Sequence, residues 1–189
     1  VRQDAPWQTL GDLEAAIRRS PGSLKASGTA RGGIWHIALA GWLVTGGLGA
    51  DAVNWISMGG AAPSLQELMA KGVDVVCCSV PEARALLDGG LIRCLGVMAE
   101  ARLPSHPDLP TFRDAGVDWA VGGWRGIAIP KGVPAERAER LREGLLRVAR
   151  SDEFARFMDA AGFNLSIGDR EVFARLLGDM DPRFGAILT

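Results

Sequence analysis

Between residues 24 and 98, short apolar runs alternate with helical patterns, and this alternation constrains the fold more than any other feature of the 189-residue chain. A strand pattern at 24–26 leads into the Gly-rich loop 27–33 and then an apolar helix pattern at 34–44. The order repeats as strand 52–56, loop 57–61 and helix 63–71, then strand 73–79 and helix 81–87, then strand 91–98. Strands separated by helices of about ten residues predict right-handed crossovers and a parallel α/β sheet. The continuous run Val73-Asp74-Val75-Val76-Cys77-Cys78 suits a strand covered on both faces.

The flanks read differently. Thr9 and Asp12 form a capping-box pattern that starts a helix running to about residue 19, where Pro21-Gly22 ends it. Beyond Met98, Pro104, Pro107 and Pro110 predict a rigid extended loop, followed by a short helix at 111–115 and extended chain over 119–129. Helices are predicted over 134–150, 152–161 and 170–177, with a strand at 163–167. The chain is thus expected to divide near residue 120. Residues 1–120 form an α/β lobe carrying the Gly-rich loops, and residues 121–189 form a helix-rich segment with too few strands for a sheet of its own.

Charge and composition narrow the function. With 21 Lys and Arg against 22 Asp and Glu the net charge is -1, so no global basic field exists to hold nucleic acid, and a bound anion must be caught locally. The apolar stretch 34–48 is interrupted by His36, Thr45 and glycines and falls short of the roughly 20 residues a membrane-spanning helix needs. Cys77, Cys78 and Cys94 lack metal-type spacing and read as core residues, and neither a metal nor a cofactor is expected.

In a parallel α/β sheet, ligands bind beyond the carboxyl ends of the strands, where helix N-termini present unpaired N–H groups. The loops reaching that edge supply the candidate binding residues: Ser27, Gly28, Thr29, Arg31, Gly32, Gly33 and His36 from the first, and Trp55, Ser57, Gly59, Gly60 and Ala61 from the second. Ser79 comes from the third. Small residues let backbone N–H groups approach an anion, and hydroxyls add donors. Gly28 and Gly33 have phosphate-loop spacing, but Ile34 and Trp35 stand where Lys and Ser or Thr are needed. A carboxylate fits better than a nucleotide, with Arg31 available as a bidentate fork. Arg31 also fits a solvated loop arginine, and His36 a packed helix histidine bonded to a neighbouring loop. Two other classes stay open: a ligand-sensing or interaction module of the same fold, and a hydrolase pairing Ser27 or Cys77 with His36, although no G-x-S-x-G elbow is present.

Several segments, in order, carry a family resemblance: Gly32-Gly33-Ile34-Trp35-His36-Ile37; Val53-Asn54-Trp55-Ile56-Ser57-Met58-Gly59-Gly60-Ala61; Gly89-Gly90-Leu91-Ile92-Arg93-Cys94-Leu95-Gly96-Val97; Leu109-Pro110-Thr111-Phe112-Arg113-Asp114-Ala115-Gly116; and Trp124-Arg125-Gly126 through Pro130-Lys131-Gly132-Val133-Pro134. Together they resemble the substrate-binding proteins of tripartite tricarboxylate transporters, the Bug proteins, over essentially the whole chain. The resemblance implies a type II periplasmic binding fold of two lobes that close on a small carboxylate, by a hinge near 118–124, and deliver it to membrane permease subunits. It implies a tricarboxylate, dicarboxylate or acidic amino acid as ligand, a periplasmic location and no catalysis. Gly32, Gly33 and His36 match the family's first loop and helix, and Gly59 and Gly60 its second; Ser27, Thr29 and Ser57 match more weakly. Trp55 stands where many members have Tyr, and Arg31 has no expected counterpart. Set against the family, the chain is expected to lack the N-terminal part of the first lobe, leaving apolar surface that promotes self-association.

Overall fold

The computed structural model describes residues 1–188 and resolves into two compact units, Val1–Gly123 with the chain from Arg183 onward, and Trp124–Pro182.

In the first unit the order is α1 (Leu10–Arg19), β1 (Lys25–Ser27), α2 (Ile34–Thr45), β2 (Asn54–Trp55), α3 (Ala61–Met69), β3 (Val75–Val76) and α4 (Val80–Asp88). The three strands form a parallel sheet in the order β2-β1-β3, with Ala26 of β1 opposite both Trp55 and Val75. The predicted α/β alternation is therefore present, with shorter strands. A chain that moves from β1 out to β2 and then returns past β1 to β3 reverses direction at the centre of the sheet, and the loops after β1, β2 and β3 open at one edge.

Local chemistry explains the elements. The Thr9 hydroxyl accepts the Asp12 N–H at 3.1 Å while the Asp12 carboxylate accepts the Thr9 N–H at 2.9 Å, closing the capping box of α1. Helix α2 is apolar on all sides, and His36 through Leu43 are all buried, as such a helix requires. Trp119 fastens it: its indole N–H donates to the Ala38 carbonyl at 2.9 Å and its ring lies over Gly41, where any side chain would overlap it. Trp42, only 2% exposed, meets Phe112 edge-to-face at 5.5 Å. A smaller cluster of Leu65, Leu68, Val73, Ala83 and Ile92 lies with α3 and α4.

Three local expectations are corrected. Residues 91–98 form no strand; they pair through isolated bridges, Arg2 with Ile92 and Val97 with Thr111, because their neighbours are short irregular segments. Ala61 begins α3 instead of ending the loop, since Pro63 occupies the first turn, where its missing N–H removes no bond. The last helix does not stop at 177: α7 (Arg170–Leu188) continues through Gly178 and Pro182.

The second unit contains α5 (Ala135–Ala149), α6 (Asp152–Ala160) and the first part of α7. Trp124 packs edge-to-face on Phe173 at 4.9 Å, and the Phe173 ring sits against Gly126. Residues 163–167 form no strand among the described residues. Every buried hydrophobic residue of the described chain lies outside this unit, whereas Ile127, Val148 and Phe157 are 60–71% exposed.

Candidate functional site

The site forms in the first unit at the carboxyl edge of the β2-β1-β3 sheet. Leaving β1, the chain passes Gly28, which is buried against the Cys77 carbonyl, Trp35 and the Trp55 ring. The Trp55 indole N–H donates to the Thr29 carbonyl at 3.0 Å, the Met58 N–H reaches the same oxygen at 3.4 Å, and the Arg31 N–H donates to the Ser57 hydroxyl at 3.0 Å. These bonds join the loop after β1 to the loop after β2. His36 closes the first loop from below, its Nδ1 accepting the Gly32 N–H at 3.2 Å while its ring meets Trp55 edge-to-face at 5.1 Å.

That hydrogen bond requires a neutral imidazole with its proton on Nε2. Burial, then the charge of Arg31, pushes the His36 pKa below its ordinary 6.5. In the folded state His36 is thus harder to protonate than in the unfolded chain, so its stabilising contribution is complete above pH 6.5 and is lost as pH falls through the lowered folded value. Accordingly, His36→Gln is expected to cost more stability at pH 7.5 than at pH 5, measured by urea unfolding. An equal cost at both values would contradict a neutral, hydrogen-bonded His36.

The two linked loops lead into helices with unusual starts. Gly33 and Gly60 are the N-cap residues of α2 and α3, and neither helix receives a side-chain cap. Their first intrahelical bonds are Ile37 N–H to Gly33 at 3.0 Å and Ser64 N–H to Gly60 at 3.4 Å, leaving the N–H groups of Ile34, Trp35, Ala61 and Ala62 ahead of the ladder. Each such terminus carries roughly half a positive charge. Gly60 has φ +146°, a region L-residues rarely enter. At Gly32, Gly59 and Gly60 no heavy atom beyond the chain neighbours lies within 4 Å of where a side chain's first carbon would stand, whereas at Gly33 the Thr29 hydroxyl and the Ala30 carbonyl crowd that position.

Other candidates serve the scaffold. Ser27 is fully buried; its hydroxyl donates to the Ile56 carbonyl at 2.7 Å and lies 2.9 Å from the Ser64 hydroxyl, which donates to Gly60 at 2.8 Å. Ser27 and Gly28 therefore support the loops from beneath. Ser79 reaches the same edge beside β1, but its N–H and hydroxyl both donate to Glu82, at 2.8 and 2.7 Å. This carboxylate closes the N-terminus of α4 and opposes a second anion there. Two contributors went unread in the sequence: Ser64, a lone hydroxyl among the apolar positions of α3, and Glu82, which completes a Ser-x-x-Glu capping pattern from Ser79.

The nucleophile pairings find no geometric support. Ser27 bonds to Ile56 and Ser64, while His36 Nδ1 is occupied by Gly32. Burial pushes the Cys77 and Cys78 thiols up to about 12 and raises Cys94 as well, against thiolate chemistry. Among the described residues there is no group of three metal-ligating side chains, and no helix is long and apolar enough to cross a membrane.

Comparison with known proteins agrees with this architecture. The model of the tripartite tricarboxylate transporter family receptor matches residues 1–189. A UPF0065 protein of a Pseudomonas species is 26% identical over the whole chain, and one of Bordetella pertussis 25%. The chain spans 56% and 58% of their lengths. Among solved structures, a TctC solute-binding protein from Polaromonas is 26% identical with TM-score 0.79, covering all of this chain and 64% of that one. MatC from Rhodopseudomonas palustris, solved with malate, shares the fold at 20% identity and TM-score 0.84, over 100% of this chain and 64% of that one. An R. palustris protein solved with adipate does so at 24% and 0.84, over 99% and 62%. With the family model matching residues 1–189 from end to end, and a parallel α/β unit at its centre, the chain belongs to the tripartite tricarboxylate transporter receptor family.

Proposed function

We propose that this chain acts as the ligand-holding part of a periplasmic receptor that captures a small organic carboxylate and passes it to the permease subunits of a tripartite transporter, without chemical change to the ligand. The observation that carries the reading is the pair of glycine-capped helix N-termini, α2 and α3, at one sheet edge, with open space at Gly32, Gly59 and Gly60. Backbone N–H groups and aligned dipoles there suit a carboxylate and need neither a metal nor a cofactor. Relatives of the same fold solved with adipate and malate support an anion of that size. The test is isothermal titration and thermal shift of the 189-residue chain with adipate, malate, citrate and glutamate, using the neutral diamide of adipate as control. Saturable stabilisation by one or more of the acids, absent with the diamide, is expected; no response to any of them would overturn the reading.

Self-association belongs to the same proposal. Unit Trp124–Pro182 exposes Ile127, Leu141, Val148 and Phe157, and exposed apolar side chains of this kind favour association. Sedimentation velocity at tens of micromolar is expected to give a mass above the 20.0 kDa of the monomer, with Phe157→Glu shifting it downward. A clean monomer across the concentration range would argue against it.

A further inference from the structure

We propose that Arg31 is the specificity-determining cation of this site, selecting ligands with two ionised carboxylates over analogues in which one is neutral; the proposal rests on the carboxylate-binding reading above. The backbone of Arg31 is held where the two loops meet, its N–H donating to Ser57 at 3.0 Å, with the Ala30 carbonyl accepting from Gly33 at 3.0 Å. Its position is therefore fixed by the same bonds that unite the loops.

Its guanidinium is unspent. Among the described residues it takes part in no ion pair or side-chain hydrogen bond, whereas Arg2, Arg18, Arg84, Arg102 and Arg113 of the same unit are all paired with carboxylates. Of the other side-chain cations of residues 1–123, Lys71 faces Asp4 and Arg93 donates to the Trp7 and Gln3 carbonyls, and the two left unpaired among the described residues lie elsewhere, Arg19 at the end of α1 and Lys25 at the start of β1. Among the described residues within 1–123, Arg31 is thus the one uncommitted full positive charge at the carboxyl edge of the sheet.

The surroundings give that charge a direction. His36, beneath the loop, contributes no charge while its Nδ1 accepts from Gly32. The α2 and α3 termini carry no side-chain cap and are partly positive, and the space at Gly32, Gly59 and Gly60 is clear. The α4 terminus is closed by Glu82. The edge is therefore positive on the α2 and α3 side and negative at α4. One carboxylate can be met by backbone N–H groups alone; a second gains most by turning toward Arg31 and away from Glu82. A neutral amide in its place forgoes the guanidinium's attraction.

The test compares adipate with adipic acid monoamide by isothermal titration at 20 and 200 mM NaCl, in the unaltered chain, Arg31→Gln and Arg31→Lys. Arg31 is exposed and its only hydrogen bond is made by its backbone, so both variants are expected to keep the unaltered melting temperature. The expected result is a loss of about fivefold in adipate affinity for Arg31→Gln, the size of one exposed charge pair, with monoamide affinity nearly unchanged. The salt dependence of adipate binding should weaken, and Arg31→Lys should restore part of the preference. Equal losses for both ligands, or an unchanged preference, would overturn the role of Arg31 while leaving carboxylate binding intact. No binding of either compound by the unaltered chain would overturn this proposal, and silence across the wider acid panel would overturn the parent reading as well.

Discussion

Gly28→Ala is expected to destabilise the first unit by about 2–3 kcal/mol, the upper part of the range for overpacking a filled interior. Gly28 is buried at the exit of β1, and a methyl group there would overlap the Cys77 carbonyl while lying 2.8 Å from Trp35 Cβ and 3.2 Å from the Trp55 ring. The carbonyl cannot simply withdraw, because the Cys77 N–H is bonded to Ser27 at 2.9 Å within the β1–β3 pairing. Trp55 is held in turn by its bond to Thr29 and its contact with His36. Relief therefore means separating β1 from β3 or breaking the link between the first two loops. For a chain of this length the melting temperature should drop by roughly 5–10 °C, and the urea midpoint should fall with the slope unchanged. A loss below about 0.5 kcal/mol, the scale of a neutral surface change, would show that the loop accommodates the methyl and that Gly28 is not a packing constraint.

Gly59→Val is expected to have the opposite profile. Gly59 has ordinary backbone geometry and open space around it, so folding stability should change by no more than about 0.5 kcal/mol. Its branched side chain would instead occupy the space before the open end of α3. With adipate or malate at 100 times its dissociation constant, binding to the unaltered chain should add about 2.7 kcal/mol of stability; in Gly59→Val that increment should vanish. A retained increment would remove the α3 terminus from the site. Gly60→Val is the useful contrast: at φ +146° the substitution carries backbone strain of about 1–3 kcal/mol and should lower stability even without ligand.

These two glycines show how far the residues could be read in advance. Both were legible as parts of Gly-rich loops after predicted strands, and both entered the candidate site on that basis. Sequence spacing does not distinguish a glycine pressed between β3 and a tryptophan from one facing open space, because the difference lies in residues 49 and 27 positions along the chain, Cys77 and Trp55. Ser27 and Ser79 have the same history. Their hydroxyls were legible as donors, but the acceptors that consume them, Ile56 and Glu82, are assigned by strand pairing and helix capping. The predicted strands at 91–98 and 163–167 were apolar enough, yet a strand exists only with a partner of matching length, and the described residues offer those segments none.

What the sequence by itself determined is local: the strand-helix alternation, the helix starts at Thr9 and after Gly33, and the small residues that leave backbone N–H groups accessible. These follow from side-chain periodicity and capping chemistry acting over a few residues. The tertiary structure alone decided the strand order β2-β1-β3, the joining of the first two loops through Thr29 and Ser57, the closing of α4 by Glu82 and the unpaired state of Arg31. Those features depend on which distant groups satisfy one another's hydrogen bonds and charges, and that matching is made only when the sheet assembles.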